Sequence, residues 1–465
     1  MARPPSLLGK FADSARAATT VETAGIEPIP EQQRRGGPSA SFTLWFSSNV
    51  QFSSLSAGML ATAAFGLGWA QAMLAITIGS AIGAAAIGIT STFGPRTGVG
   101  LLVQTRGPLG YVGAIAPAAL VFLKACAWFA VNSVLGTFAV QTLLGSGFAA
   151  AFAIVTIAQI VIALVGYSFI HIVQKAMAVV LPVLFIGVSV YGFTQSDLGA
   201  GFDADKAGAL GLAGAFALTV AVHASRALSF STYAADYTRY MPADTSARRL
   251  FTYAFIGTML GSVWIGGLGA AIGTIAFVGT PTDLVTEVLP SVLAAITMLA
   301  LGISTVTSSC LDCYSGALAW LTAGVRMTRW QAVLVVGSIG AVLGWVTGQG
   351  NYWESFQNFL ILLGNWIAPW LAIVLVDHFL TRGPARPPTR IGPGFVAWLL
   401  GILVAVPFMS QPGVFVGPIA EHWPPLGASA ALVAFLTAGL VHSVLTRTSR
   451  ASTATALTPS KEIPA

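Results

Sequence analysis

Two stretches of the chain crowd polar side chains into otherwise apolar sequence. The first, Ser47-Ser48-Asn49-Val50-Gln51-Phe52-Ser53-Ser54, holds six polar residues in eight; the second runs His223-Ala224-Ser225-Arg226-Ala227-Leu228-Ser229-Phe230-Ser231-Thr232. Inside a bilayer such a run is costly unless it lines a cavity. A helix interrupted there exposes backbone amides and carbonyls at mid-depth, where they can hold a polar substrate and a cation. Isolated Ser and Thr residues commonly bond back to their own helix, but two dense runs five spans apart point to a paired interruption. Two further clusters sit at helical spacing. Lys124, Trp128 and Asn132 recur every four residues and share one face. A Trp face stacks on a flat ring, and an Asn amide both donates and accepts, so the pair suits a planar heterocycle with a polar edge. Ser304, Ser308 and Asp312 share another face, with Thr305 and Ser309 beside it. Hydroxyl and backbone carbonyl oxygens suit a hard cation such as Na+. Lys124, Arg226 and Asp312 are the charges set deep in apolar stretches. Asp312 is expected to pair with Lys124 or Arg226, because a lone buried charge is costly. That pair is either a structural tie or a part of ion coupling. His223 is either a proton relay or a packed histidine.

Composition says which elements must carry these residues. The chain has 465 residues, 55% of them hydrophobic and 8% charged, and its mean hydropathy is +0.80. Soluble domains average about 25% charged residues. A soluble enzyme, a disordered chain and a nucleic-acid reader are therefore excluded, and a polytopic helical membrane protein remains. The predicted spans run 43–65, 69–91, 112–143, 149–169, 176–194, 209–232, 251–278, 289–321, 330–348, 354–380, 393–411 and 425–445. They lack the alternation of β-barrel strands. The cations test this count. Of the 22 Lys and Arg residues, nineteen fall before the first span, after even-numbered spans, or in the tail. Loops after odd-numbered spans hold only Lys206. This asymmetry predicts about twelve transmembrane helices with both termini cytoplasmic in a plasma-membrane protein. It also explains the net charge of +6 without a nucleic-acid partner. The predicted layout is a cytoplasmic segment 1–42, a transporter domain 43–445 and a disordered tail 446–465. Residues 1–42 show no apolar core of a signal peptide. Cys126, Cys310 and Cys313 lie in apolar stretches and read as core thiols, Cys310-x-x-Cys313 included. The sequence holds no H-E-x-x-H, P-loop or nucleophile-elbow pattern, so no catalytic residue is assigned and no enzyme is expected.

Several short motifs then carry a resemblance. Gly25-Ile26-Glu27-Pro28-Ile29-Pro30-Glu31 followed by Arg34-Arg35-Gly36-Gly37-Pro38, Gly94-Pro95-Arg96-Thr97-Gly98, Trp128-Phe129, Asp236-Tyr237-Thr238-Arg239-Tyr240 and Tyr314-Ser315-Gly316 occur in that order. On these residues the chain resembles the nucleobase–cation symporter-1 family, the purine–cytosine permease group, over roughly residues 25–445. The resemblance implies an all-α, LeuT-type fold of two inverted five-helix repeats plus two C-terminal helices. It implies import of a nucleobase-like ring (cytosine or purine class) by alternating access, coupled to Na+ or H+, with no other cofactor. It places the cation on backbone carbonyls of Ser47, Val50 and Leu301 and hydroxyls of Ser304 and Thr305. It places stacking on Trp128, an amide contact on Asn132 and a polar contact on Gln51.

This sequence departs from the family on the substrate side. A second stacking Trp found in some members falls on Ala227, preceded by Arg226, and Phe230 is the candidate replacement. An Asn that reads the ring edge falls on Cys310, next to Ser309. The departures allow a smaller, differently polar or partly anionic substrate. Symport of allantoin, hydantoin, a vitamin or an amino acid on the same fold is the alternative. A channel or sensor is disfavoured, because no ring of like side chains or repeated filter loop is visible.

Overall fold

Uninterrupted apolar runs fold here as helices, which satisfy every backbone group within the segment. The computed structural model describes residues 22–276, 283, 288–348, 352–380, 389–411 and 413–456. The cations Arg3, Lys10, Arg16, Arg382, Arg386 and Lys461 lie outside those residues. α1 comes in two halves, Ser39–Asn49 and Phe52–Ala64. There follow α2 (Trp69–Ser91), α3 (Ile115–Leu144), α4 (Phe148–Val165), α5 (Tyr167–Gln195) and α6 (Gly211–Ser231). The second set is α7 (Ala247–Ile272), α8 (Ser291–Thr322), α9 (Arg329–Thr347) and α10 (Tyr352–Leu380). α11 (Pro393–Ala405) and α12 (Ala430–Ala456) close the chain. Among the described residues, ten helices are long and apolar enough to cross a bilayer. The second half of α1 and the stretch Pro393–Phe408 are apolar but shorter.

Three boundaries differ from the sequence expectation. α5 starts at Tyr167, not 176, because His171, Gln174 and Lys175 depress local hydropathy although the segment is helical. Gly166, at φ +101°, makes the tight turn that separates it from α4. α12 runs on to Ala456, so the helix extends into the tail expected to be disordered from Thr446. α11 ends at Ala405, and a two-strand hairpin pairs Ser410 with Val416 in the stretch that follows.

Helix contacts repeat with a step of five. α2 packs on α6 as α7 packs on α1; α3 packs on α9 as α8 packs on α4; α1 packs on α5 as α6 packs on α10. α3 with α8 and α2 with α7 form the central pairs. Five crossings per unit put the start of the second unit on the opposite side of the membrane. The two units are therefore inverted, as expected. Small residues bring the central backbones together. A Cβ at Gly58 would meet the carbonyl oxygen of Gly266 at 1.9 Å, and one at Gly269 would meet that of Leu55 at 1.9 Å.

Before α1, residues 22–38 strap across one end of the bundle. Glu22 ties several elements together: its carboxylate accepts from Tyr240 Oη, from Tyr314 Oη at 2.9 Å and from the Tyr167 amide at 2.8 Å. Arg239 approaches the same carboxylate at 3.6 Å. Arg329 donates to the Glu22 carbonyl at 3.0 Å. Arg34 donates to the Pro95 carbonyl at 2.9 Å, and Arg106 to the Thr322 carbonyl at 2.9 Å. Cations from four separate loops thus converge on one face, which is the arrangement the charge asymmetry predicted.

Candidate substrate and ion site

α1 breaks inside the first polar run. Val50 (φ −85°, ψ 76°) and Gln51 (φ −151°, ψ 164°) leave helical geometry. Asn49 explains part of the break. Its amide nitrogen donates to the Trp45 carbonyl at 2.6 Å, competing with the backbone for the same acceptor. The Asn49 carbonyl in turn accepts from Ser54 Oγ at 2.6 Å. The side chain of Gln51 is buried, and its Oε1 has no hydrogen-bond partner.

The second polar run behaves differently. α6 is continuous from Gly211 to Ser231, and the chain turns only at Thr232–Tyr233 before the short helix Ala234–Thr238. The expected interruption is displaced to the end of the run. Ser231 Oγ donates to the Leu228 carbonyl at 2.7 Å and Thr232 Oγ1 to the Ser229 carbonyl at 2.8 Å, closing the last turn on itself. Lys124 then caps it: Nζ donates to the Ser229 carbonyl at 2.8 Å and to Thr232 Oγ1 at 3.1 Å. A cation at a helix C-terminus also complements the helix dipole. Nζ sits 4.1 Å above the Tyr233 ring and 3.9 Å from Asp312 Oδ1, which accepts from Tyr233 Oη at 2.8 Å. Asp312 therefore pairs with Lys124.

Arg226 takes other partners. Its Nη2 donates to Asn49 Oδ1 at 2.9 Å and to Ser262 Oγ at 2.8 Å. Its neighbour Ala227 faces α2, since a Cβ at Gly83 would lie 2.1 Å from the Ala227 Cβ. Phe230, the candidate second stacking face, lies 5.7 Å from the Trp45 ring and 6.1 Å from that of Tyr233. The rings that meet Trp128 are instead Phe359 at 5.1 Å and Phe356 at 6.4 Å, both on α10 and both edge-on. Sequence reasoning missed these two, because Phe is common throughout the chain. Trp128 Nε1 donates to Ser229 Oγ at 3.2 Å.

Three residues on the α3 and α8 faces and the α1 break share one property. Both amide atoms of Asn132, Gln51 Oε1 and Ser309 Oγ are buried without partners, while Trp128 is 3% exposed. Cys310 Sγ donates to the Thr307 carbonyl at 2.9 Å. His223 lies against α2 and α7, where Cβ atoms at Gly79 and Gly266 would come within 2.9 and 3.0 Å of it.

The cation candidates lie on α1 and α8, and Gln174 of α5 bridges these helices, but Thr305 Oγ1 is turned toward α3, where a Cβ at Gly136 would lie 2.8 Å from it. Ser304 Oγ donates to the Leu301 carbonyl at 3.0 Å and Thr305 Oγ1 to the Gly302 carbonyl at 2.9 Å. Each hydroxyl proton points back into α8, which leaves oxygen lone pairs for a cation. Ser47 Oγ donates to the Thr43 carbonyl at 2.6 Å and lies 2.5 Å from Gln174 Oε1. Gln174 Nε2 donates to the Thr307 carbonyl at 2.7 Å, so Gln174 ties all three helices. It was missed because it lay outside the predicted span. Beyond the crossing helices, Asp236 accepts from the Leu101 amide at 3.3 Å, and burial pushes its carboxyl up to about 6.

A family model described as "Permease for cytosine/purines, uracil, thiamine, allantoin" matches residues 28–385. The chain belongs to this permease family. Among curated relatives, a putative purine-cytosine permease of Bacillus subtilis is 28% identical over 86% of this chain and 91% of its own length. The purine-cytosine permease fcyB of Emericella nidulans is 25% identical over 87% of this chain and 84% of its own. Among solved structures, the transporter Mhp1 of the nucleobase-cation-symport-1 family, closed with bromovinylhydantoin bound, gives a TM-score of 0.69 at 19% identity. That match covers 92% of this chain and 96% of Mhp1. A Na+-coupled sialic acid symporter gives 0.65 at 10% identity, covering 95% and 97%. The permease is thus a multi-pass membrane transporter with the LeuT-type fold, and its family members are not enzymes.

Proposed function

We propose that this permease is a symporter that imports a nucleobase-like heterocycle by alternating access, coupled to Na+. The supporting observation is an unsatisfied buried polar set on the helices expected to carry the site. Both amide atoms of Asn132, one turn from Trp128 on α3, are buried without partners, as are Gln51 Oε1 and Ser309 Oγ. Buried polar groups are nearly always paired, so a ligand with ring-edge donors and acceptors completes the site. The names of the relatives, purine–cytosine permeases and a hydantoin permease, agree in kind. Na+ would be held by carbonyls of Ser47, Val50 and Leu301 with the hydroxyls of Ser304 and Thr305. The face carrying the strap is the cytoplasmic face of the cell membrane in this reading, because the cations gather there, and both termini would lie on that side.

Proteoliposomes loaded for an imposed Na+ gradient test the proposal with labelled cytosine, uracil, hypoxanthine, allantoin and hydantoin. One ring is expected to show saturable uptake that collapses without the gradient. Trp128→Ala should weaken its binding by the ~1–3 kcal/mol of one base–aromatic stack. If no ring enters under a Na+ or a H+ gradient, the substrate class is wrong. A second reading, H+ coupling, is favoured by the buried Lys124–Asp312 pair. Uptake that follows a pH gradient and ignores Na+ would select it.

A further inference from the structure

Arg226 is a permanent cation whose hydrogen-bonding account does not balance. It is 1% exposed in the middle of α6, between α1 and α7. A guanidinium carries five N–H donors. Two are met, through Nη2, by Asn49 Oδ1 and Ser262 Oγ. Nε and Nη1, which carry the other three, are buried without a partner. The two residues it does bond have no acceptor capacity shown to reach them. Ser262 Oγ spends its own proton on Asn49 Oδ1 at 2.9 Å, and the Asn49 amide donates to the Trp45 carbonyl at 2.6 Å. Both acceptors that the guanidinium reaches are therefore engaged; the unpartnered ring nitrogens of His223 make no hydrogen bond to it, and three donors are left over.

The charge is as unbalanced as the hydrogen bonds. None of the ion pairs among the described residues includes Arg226. The other buried carboxylates are committed elsewhere: Asp312 to Lys124 and Tyr233, Asp236 to the Leu101 amide. His223, one turn earlier on α6, faces the backbone of Ala57 and brings no negative charge. A membrane-embedded cation without a counter-charge is costly, and a buried charge is retained when something pairs with it.

We infer that Arg226, held by Asn49 and Ser262, forms an anion site between α1, α6 and α7. The anion is either a negatively charged group on the transported heterocycle or an inorganic halide. The two sources share one chemistry: a compact negative acceptor that takes the Nε and Nη1 protons. The first source rests on the transport proposal above; the second does not.

The test uses the purified full-length protein in nanodiscs and reads thermal unfolding, since a ligand of the native state raises apparent stability. One arm replaces gluconate with chloride at constant ionic strength. The other compares orotate with uracil in gluconate, a carboxylated against a neutral pyrimidine of otherwise equal ring. Expected is either a saturable upward shift with chloride or at least tenfold tighter binding of orotate than of uracil; the first names the halide and the second the substrate group. Arg226→Gln should abolish whichever effect appears, and Arg226→Lys should keep part of it. If the wild type responds to neither chloride nor the carboxylate, the site is refuted, with no variant needed. If Arg226→Gln folds and keeps the effect, the anion binds elsewhere and the assignment falls. Failure of the transport proposal is separable: it appears as absence of heterocycle uptake, whatever the chloride arm reports.

Discussion

α1 and α6 hold equivalent places in the two repeats, yet the chain opens them in different ways. α1 breaks in mid-helix at Val50–Gln51, and its own polar residues there, Asn49, Gln51 and Ser54, are neutral, with the Arg226 guanidinium of α6 donating to Asn49. α6 stays helical to Ser231 and turns at its end, where Lys124, Asp312 and Tyr233 gather. The difference is one of how each loose end is satisfied. The carbonyl freed at the α1 break takes a hydroxyl from its own segment. The end of α6 takes an ammonium from α3, and that ammonium is fixed by a carboxylate on α8. The backbone freed at the first opening is satisfied locally, although the Asn49 side chain also reaches Arg226 of α6 and Ser262 of α7; the backbone at the second is held by α3 and through it α8, so movement of α6 must be felt by both.

The largest test of this contrast is Lys124. Lys124→Met leaves Asp312 buried without its counter-charge, which should cost about 3–5 kcal/mol of stability. Asp312→Leu alone should be similarly harmful. The double variant should lose less than the sum, because an apolar pair of similar volume is often tolerated. Chemical unfolding in detergent measures all three. Additive losses would mean that the two charges do not act as a unit, and the α6 end would then be no more coupled than the α1 break.

The sequence narrowed the partner of Asp312 to Lys124 or Arg226, because so few charges lie deep, and the structure selects Lys124. The polytopic helical layout was legible for the same reason, since scarce cations sort cleanly by side; ten of the described helices are long and apolar enough to cross, and two further apolar helices are shorter. The partners of Arg226 were not legible. Asn49 and Ser262 are neutral, and no spacing rule links a residue of α1 to one of α7. The continuity of α6 was missed because polar composition alone does not say whether Ser and Thr hydroxyls line a gap or fold back on their own helix. Gln174 was hidden by hydropathy, which scores a buried bridging amide as if it were solvated.

A smaller effect should come from Asp236, just past the α6 turn. Burial raises its carboxyl to about 6, so the native state holds this proton more tightly than the unfolded chain does. Its contribution to stability is complete below about pH 4 and is lost as pH rises through about 6. The shift corresponds to roughly 3 kcal/mol at most. Asp236→Asn should flatten that part of the pH–stability curve and gain stability at pH 7. A curve that keeps its slope in the variant assigns the titration to another group. Nothing comparable is expected from the α1 break, which holds no ionisable side chain.

The smallest test compares two hydroxyls. Ser54 Oγ donates to the Asn49 carbonyl across the α1 break, while Thr219 Oγ1 donates to the Ala215 carbonyl inside continuous α6. The Ala215 carbonyl lies within an unbroken helix, where the backbone amide four residues on already serves it. The Asn49 carbonyl lies at the interruption, where no amide four residues on continues the helix. Ser54→Ala should therefore cost about 1 kcal/mol, the price of leaving a buried acceptor unpaired. Thr219→Val, close to isosteric, should cost less than about 0.5 kcal/mol for the loss of a redundant bond. Equal losses would mean that the α1 break does not depend on the Ser54 hydroxyl. A clear gap between them would assign the satisfaction of the freed Asn49 carbonyl to its own segment, apart from Lys124 and Asp312, which secure the end of α6.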